Sequence, residues 1–242
     1  MVEVYPDRES LSEAAAALFA RLARDAAEAR GRFAVALSGG STPRPVYERL
    51  AREPCRDGID WNRVHVFWGD ERCVGVEDPR SNAGMALAAL LSAAPIPPAQ
   101  IHAVRCAESP EIAALAYEKE LKSFFGRGPP RFDLVLLGLG EDGHTASLFP
   151  GSPALAEPVR WVAAVRRSGE NLDRVTLTPP AINGAAEVVF LVSGRSKAAI
   201  LKEVLEGAGD PERFPAQRIR PSNGTLRWLV DEDAASGLEE GC

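Results

Sequence analysis

The sequence has no apolar run that approaches the roughly 20 residues a membrane-spanning helix needs. Its first residues show no basic segment followed by an apolar stretch, so we expect no secretory signal and a cytoplasmic protein. The net charge of −6 argues against the basic face on which nucleic-acid binding depends. We therefore expect neither a membrane nor a nucleic acid among its partners.

Cysteine is also scarce, with four residues in the 242-residue chain: Cys55, Cys73, Cys106 and Cys242. They form no C-x-x-C pair, and none lies at zinc-finger spacing from a histidine. We therefore expect ordinary reduced thiols. Hydrophobic residues make up 45% of the chain, enough for a packed core that needs neither a disulfide nor a metal.

What is present is an alternation of short apolar runs and amphipathic segments, which is typical of an α/β fold. Strands are predicted at 33–37, 64–68, 101–104, 132–137, 161–165, 174–177, 188–192 and 226–230. Helices are predicted from a capping box at 10–13, from Thr42 as N-cap and Pro43 as first helical residue toward Leu50, at 81–91, at 109–125 and at 195–205.

We expect one domain over residues 1–242, with a Rossmann-like, mostly parallel sheet covered by helices on both faces, and a frayed tail at 236–242. In such sheets ligands bind beyond the carboxyl ends of the strands. The segments that follow the strands are therefore the candidate site.

The segment after the 33–37 strand is rich in glycine and hydroxyl groups: Gly39, Gly40, Ser41 and Thr42. Glycines let the backbone approach a ligand, and the next helix start offers free N–H groups, so this loop could hold a phosphate. A plain strand-to-helix turn is the alternative. After the 188–192 strand, Arg195 and Lys197 place two cations at a helix start. This is unfavourable for the helix dipole unless an anion binds there; a solvated helix start is the alternative.

The other two strand ends carry acids, an arginine and a histidine. Asp70, Glu71 and Arg72 follow the 64–68 strand and could orient sugar hydroxyls and stabilise an anion, or form a surface charge cluster. Asp142 and His144 lie in a glycine-rich turn after the 132–137 strand. Histidine is the side chain best suited to proton transfer near neutral pH.

Several chemistries lack their motifs. The glycines at 138–143 match G-x-G-x-x-G, but Pro150 and Pro153 prevent the long helix of a dinucleotide site. There is no G-x-S-x-G elbow, no H-E-x-x-H, and no H-x-E with C-x-x-C. His65 and His102 lie in predicted strands, where structural roles are expected. The residues thus indicate metal-free acid–base chemistry on a phosphorylated small molecule.

The same segments resemble the 6-phosphogluconolactonase family over nearly the whole chain. The matching segments are ALSGGSTP at 36–43, WGDER at 68–72, SN at 81–82, LGLGEDGHTASLFP at 137–150, RVTLT at 174–178 and SGRSK at 193–197. The resemblance implies hydrolysis of 6-phosphoglucono-δ-lactone to 6-phosphogluconate, the second step of the oxidative pentose phosphate pathway, with no metal or organic cofactor.

In the mechanism that we hypothesise, His144 is the general base that activates water. Asp142 or Asp70 holds the imidazole or the sugar hydroxyls, and Arg72 serves either the oxyanion or the phosphate. The phosphate binds the 39–42 loop, helped by Arg195 and Lys197. The expected partner is thus a small phosphorylated sugar lactone, and we expect a monomer.

Two alternatives stay open at this point. The same superfamily contains glucosamine-6-phosphate deaminases, which carry a glutamate five residues after the loop histidine and a tyrosine after the second-loop Asp-Glu. Here these positions hold Phe149 and Arg72, which favours the lactonase over a deaminase or isomerase. The other alternative is a sugar-phosphate-binding protein that lacks catalysis.

Overall fold

The computed structural model describes residues 1–126, 128–167 and 171–239. Its strands are β1 (Val2–Tyr5), β2 (Phe33–Leu37), β3 (Val64–Trp68), β4 (Asp70–Arg72), β5 (Leu134–Leu137), β6 (Val162–Val165), β7 (Arg174–Leu177), β8 (Glu187–Val192) and β9 (Thr225–Asp231). Its α-helices are α1 (Arg8–Arg30), α2 (Arg44–Leu50), α3 (Asn82–Ala86), α4 (Pro110–Phe125), α5 (Pro179–Asn183), α6 (Ala198–Glu206) and α7 (Glu232–Ala235).

Six strands form a parallel sheet in the order β1-β9-β8-β5-β2-β3. Every residue of β2, β5 and β8 is buried, because these central strands are covered on both faces. A second, antiparallel sheet holds β4, β7 and β6 in that order. The expected Rossmann-like α/β fold with a mostly parallel sheet is confirmed, and the small antiparallel sheet was not predicted.

The parallel sheet separates two apolar clusters, since alternate residues of a strand point to opposite faces. One cluster joins Phe33, Val35 and Leu37 of β2 to α1 and α2. The other joins Ala34 and Ala36 of the same strand to α4, α6 and the antiparallel sheet. Helices therefore cover both faces of the parallel sheet, as expected, and the antiparallel sheet covers part of one.

Two predicted helix starts are wrong. The first helix begins at Arg8, because the Asp7 carboxylate caps it by accepting a hydrogen bond from the Ser10 N–H at 2.7 Å. The predicted capping box at 10–13 thus lies inside the helix. The second helix begins at Arg44, after a turn at 41–43, and Thr42 makes no cap. The helices predicted from Ser81, Ser109 and Arg195 are confirmed, the first continuing as a π-turn at Leu87–Leu91 and the last opening with a 3₁₀ turn at Arg195–Lys197.

The strand predicted at 101–104 is reduced to a single parallel bridge between Ile101 and Val66. Of the tail predicted to be frayed, residues 236–239 are described and make hydrogen bonds. Leu238 donates its N–H to the Ala235 carbonyl at 2.9 Å, and the Glu239 N–H reaches the Glu206 carboxylate at 2.8 Å. Residues 240–242 lie outside the described residues.

The prediction of reduced thiols is wrong for one pair. Cys73 and Cys106 form a disulfide, with Cα atoms 5.1 Å apart, and the two residues are 33 positions apart in sequence. Cys73 follows β4 and Cys106 precedes α4, so only the fold brings them together. Cys55 is a free thiol, and Cys242 lies outside the described residues.

Candidate active site

The carboxyl ends of β2, β3, β5 and β8 open onto one pocket of about 270 Å³. Eight of the ten residues predicted for the site line it: Gly39, Gly40, Ser41, Thr42, Asp70, Arg72, His144 and Lys197. Asp142 and Arg195 are not among the lining residues. The four predicted segments therefore meet in one place.

The loop after β2 is held from below by Tyr47 of α2. The fully buried Tyr47 hydroxyl accepts from the Ser38 N–H at 3.0 Å and donates to the Ser38 carbonyl at 2.8 Å. Burial raises the pKa of this phenol far above its usual value, so it stays protonated and can donate. The Ser38 hydroxyl is buried and makes no hydrogen bond within the described part of the chain, and its residue lines the pocket. Ser38 is thus a candidate ligand contact that the sequence prediction omitted.

Gly39 is required by a close approach rather than by an unusual backbone angle. A Cβ placed on Gly39 would lie 1.7 Å from Oδ1 of Asn82. Asn82 is the first residue of α3, and its Nδ2 donates to the Asp70 carbonyl at 2.8 Å. Asn82 therefore packs against the loop after β2 and is hydrogen-bonded to Asp70 of β4.

Asp70 is buried, and its side chain is hydrogen-bonded to Ser147 of the loop that carries His144 and to Asn82. Its Oδ2 accepts from the Ser147 hydroxyl at 2.7 Å, and its Oδ1 accepts from Nδ2 of Asn82 at 3.3 Å. The Ser147 N–H in turn donates to the Thr176 hydroxyl of β7 at 3.2 Å. Asp70 therefore connects β4 to the loop after β5 by a hydrogen bond, and it also lines the pocket.

Glu71 is not among the pocket-lining residues, and its side chain caps α3. Its carboxylate accepts from the N–H groups of Asn82 and Ala83, both at 2.7 Å, and from the Ser81 hydroxyl at 3.2 Å. Burial raises the pKa of Glu71, although these hydrogen bonds oppose the rise. Its neighbour Arg72 lines the pocket and donates from Nη1 to the Arg80 carbonyl at 2.7 Å.

His144 is oriented by Asp142, which settles which of the two predicted carboxylates contacts the ring. Its Nδ1 forms a hydrogen bond with Oδ1 of Asp142, and the His144 N–H donates to the same oxygen at 3.2 Å. Partial burial opposes ionisation of Asp142, but the hydrogen bonds and charge of His144 outweigh it and lower the pKa of Asp142. An ionised Asp142 accepts the Nδ1 proton, so the opposite ring nitrogen, Nε2, is the one that can take a proton.

Gly140 leaves the space in which the imidazole of His144 lies. The Gly140 N–H donates to the His144 carbonyl at 2.8 Å, which closes the turn. A Cβ on Gly140 would lie 2.0 Å from Nδ1 of His144. The glycine is therefore needed for the ring to lie against the backbone.

Phe149 packs behind the ring of His144, with centroids 4.5 Å apart, and is only 4% exposed. The guanidinium of Arg167 lies over the same phenyl ring at 4.6 Å, and that of Arg174 at 5.3 Å. Position 149, which favoured a lactonase in the sequence, thus holds a buried aromatic side chain that cannot transfer a proton.

The loop after β8 brings Lys197 to the pocket, whereas Arg195 is exposed and lies outside its lining. Asp231, at the end of β9, holds this loop by accepting from the Ser193 hydroxyl and from the Gly194 N–H, the latter at 2.9 Å. Lys197 is therefore the better-placed cation of the predicted pair.

The other two histidines contact each other and are not among the pocket-lining residues, in line with the structural roles predicted for them. Nδ1 of His65 lies 3.3 Å from Nε2 of His102, whose Nδ1 lies 2.7 Å from the Glu120 carboxylate. Burial, helped by positive charge from His102 and Arg32, lowers the pKa of His65 to about 4.

Within residues 1–126, 128–167 and 171–239, no group of three or more His, Cys, Asp or Glu side chains is arranged to hold a metal ion. No helix in those ranges is both long and apolar enough to cross a membrane.

The parallel sheet thus carries a hydrogen-bonded histidine–carboxylate pair in the loop after β5, an arrangement that can perform acid–base chemistry. Residues 6–228 match the family of glucosamine-6-phosphate isomerases and 6-phosphogluconolactonases, and the chain belongs to that family. The resemblance stated from the sequence is therefore confirmed.

Individual relatives narrow the comparison. The chain is 44% identical to the 6-phosphogluconolactonase of Synechocystis sp. (98% of each chain) and 41% identical to that of Nostoc sp. (98% of this chain, 97% of the other). Its fold is similar to the structure of the 6-phosphogluconolactonase from Trypanosoma cruzi, with a TM-score of 0.89, 30% identity, and coverage of 100% of this chain and 97% of that one. These relatives confirm the expected enzyme class, a lactone hydrolase.

Sequence reasoning missed four side chains that shape the site. Ser38, Asn82 and Ser147 lie inside the segments that carry the family resemblance. The match of those segments was therefore a signal for them, although no role was predicted for the individual side chains. Arg167 lies between two short strands and has no local signal, because its contact with Asp142 spans 25 positions.

Proposed function

We propose that this chain hydrolyses 6-phosphoglucono-δ-lactone to 6-phosphogluconate, as the second step of the oxidative pentose phosphate pathway. The observation that carries the proposal is the hydrogen-bonded Asp142–His144 pair, whose histidine lines one pocket with the 39–42 loop and Lys197. The pair supplies a base, and the loop and the lysine supply an anion site. The names of the full-length relatives support the choice of substrate.

In this mechanism the phosphate of the substrate binds the 39–42 loop and Lys197, which places the lactone carbonyl beside His144. Nε2 of His144 takes a proton from a water molecule as the water oxygen bonds to C1. The imidazolium then gives that proton to the ring oxygen as the C1–O bond breaks, so protons balance over the cycle. Arg72 adds positive charge to the same pocket while negative charge develops on the substrate.

The proposed reaction needs only modest catalytic contributions from the protein. A general base contributes about 10²–10⁴-fold, and one oxyanion donor about 2.7–4 kcal/mol. Because a δ-lactone is intrinsically reactive, these terms suffice without a covalent nucleophile, a metal or an organic cofactor.

The test is a lactone-hydrolysis assay corrected for spontaneous hydrolysis. We expect His144→Ala to lower kcat about 10²–10⁴-fold while the protein still binds 6-phosphogluconate. His102→Gln changes a histidine outside the pocket and serves as the matched control. Near wild-type turnover in His144→Ala would remove His144 from the mechanism.

The anion site is tested separately. Lys197→Ala removes a charged donor, typically about 1.5–3 kcal/mol, so we expect KM to rise about 10- to 100-fold with a smaller change in kcat. Arg195→Ala should raise KM less, because Arg195 lies outside the pocket lining. An unchanged KM in Lys197→Ala would contradict the proposed phosphate site.

A deaminase or isomerase remains the second enzymatic candidate, and ammonia release from glucosamine 6-phosphate would reveal it. The buried Phe149 beside His144 argues against it, because an apolar ring stands where those enzymes have a glutamate. A protein that binds the sugar phosphate without turnover would fail the lactone assay. Monomeric state and a single domain stay predictions, which gel filtration and limited proteolysis can test.

A further inference from the structure

Arg167 and His144 share one carboxylate. Oδ1 of Asp142 bonds to Nδ1 of His144, while Oδ2 accepts from Nη2 of Arg167 at 3.3 Å. The proposed base is therefore connected to a cation through a single residue that does not line the pocket.

Phe149 packs against both His144 and Arg167. Its ring packs 4.5 Å from the imidazole of His144 and 4.6 Å from the guanidinium of Arg167, measured to the ring centroid. The phenyl ring is almost completely buried, so it is a rigid surface against which both groups lie. Arg167 is thus held by a stacking contact as well as by its ion pair.

We propose that Arg167 is a positioning residue for the proposed lactonase reaction: it holds the Asp142 carboxylate in place, and Asp142 in turn holds the imidazole of His144 in the orientation that can accept a proton from water. The inference rests on the proposed function of His144 as the base. Asp142 orients the imidazole only while its own carboxylate is held in place. The ion pair on Oδ2 fixes that carboxylate, and the hydrogen bond on Oδ1 then fixes the ring.

Other charged groups surround the histidine, and their placement favours Arg167 for this role. Asp70 and Arg72 of β4 and Lys197 of the loop after β8 line the same pocket. Arg174 of β7 lies over Phe149, but farther from its ring than Arg167 does. Arg167 forms an ion pair with Asp142, the residue that is hydrogen-bonded to His144.

The ordinary alternative is that the Arg167–Asp142 pair is a partly exposed salt bridge with no effect on the reaction, since such pairs contribute little to stability. Arg166 provides a matched control for this alternative. It is the neighbouring residue, it is exposed, and it pairs with Glu111 of α4 and with Asp173, away from His144.

The experiment compares kcat and KM of Arg167→Gln, Arg167→Lys and Arg166→Gln for lactone hydrolysis. In Arg167→Gln we expect kcat to fall about tenfold, because displaced catalytic groups lose activity steeply, with KM changed less than about twofold. Arg167→Lys keeps the positive charge and should restore most of kcat, and Arg166→Gln should match the wild type.

A second measurement uses the shared carboxylate. In an Asp142→Asn background, Arg167→Gln should change kcat less than about twofold, because coupled residues are not additive. Phe149→Leu should lower kcat more than it changes KM, and it tests the stacking contact if Arg167→Gln does not fold.

Either of two results would overturn the inference: kcat and KM of Arg167→Gln that match those of the wild type and Arg166→Gln, or a fall in kcat that Arg167→Lys does not rescue. A wild-type protein without lactonase activity would instead refute the proposed function, so the two failures are distinguishable.

Discussion

Replacing Gly140 by alanine adds one methyl group where the imidazole of His144 now lies. The added Cβ would be 2.0 Å from Nδ1, 2.2 Å from Cε1 and 2.7 Å from Cγ of the ring. Ordinary contacts of a Cβ lie at 3.4–4 Å. The backbone angles of Gly140 are open to any residue, so the chain itself need not change. The ring has to move instead, by about 1.4 Å if the backbone stays in place.

That movement breaks the alignment on which the proposed mechanism depends. The hydrogen bond between Nδ1 and Asp142 is lost or bent, and Nε2 no longer faces the water and the lactone carbonyl together. A displacement of about 1 Å at a catalytic group costs about 10²-fold in rate. We therefore expect kcat of Gly140→Ala to fall about 10²-fold, close to the effect of His144→Ala.

The assay is lactone hydrolysis with the spontaneous rate subtracted, together with binding of 6-phosphogluconate and urea unfolding. Gly75→Ala is the matched control, because a Cβ there meets no atom within 4 Å and Gly75 is exposed. Binding and stability should remain close to wild type in both variants. If kcat of Gly140→Ala stays within about threefold of wild type, the placement of the ring against this glycine does not control catalysis, and the geometric argument is refuted.

Three further perturbations test the framework. Tyr47→Phe leaves the Ser38 N–H and carbonyl without their buried partner, so the free energy of unfolding should fall by about 1–3 kcal/mol in urea titrations; a change below about 0.5 kcal/mol would contradict this. Replacing both Cys73 and Cys106 by serine removes a cross-link that spans 33 positions, which should lower the free energy of unfolding by about 3–4 kcal/mol. The urea midpoint of this variant should not respond to reductant. An oxidised wild type whose urea midpoint is also unchanged by reductant would refute the prediction. The pKa of His65 is lowered in the folded state to about 4 from 6.5, so the unfolded chain binds more protons and stability should fall as pH drops across that interval. His65→Gln should flatten this fall, and an unchanged pH dependence of the urea midpoint would count against it.

The local parts of this protein could be predicted because their causes are local. The continuous apolar runs of β2, β5 and β8 mark central parallel strands, and the glycine-rich turn at 138–144 places Asp142 two residues from His144, so their contact needs no distant partner. The helix starts were harder to predict. The Asp7 carboxylate caps α1 one turn before the pattern at 10–13, since either residue satisfies the capping preference and only the chain's path chooses between them.

The sequence by itself determined the α/β class, the four strand-end segments and the identity of the proposed base. Only the tertiary structure decided which of these groups touch. It packed Asn82 against Gly39, tied Ser147 to Asp70, joined Cys73 to Cys106 and set Arg167 on the carboxylate that holds His144. These contacts join residues 25–77 positions apart. They depend on the order β8-β5-β2-β3 within the sheet and on the pairing of β4 with β7, which no local pattern encodes.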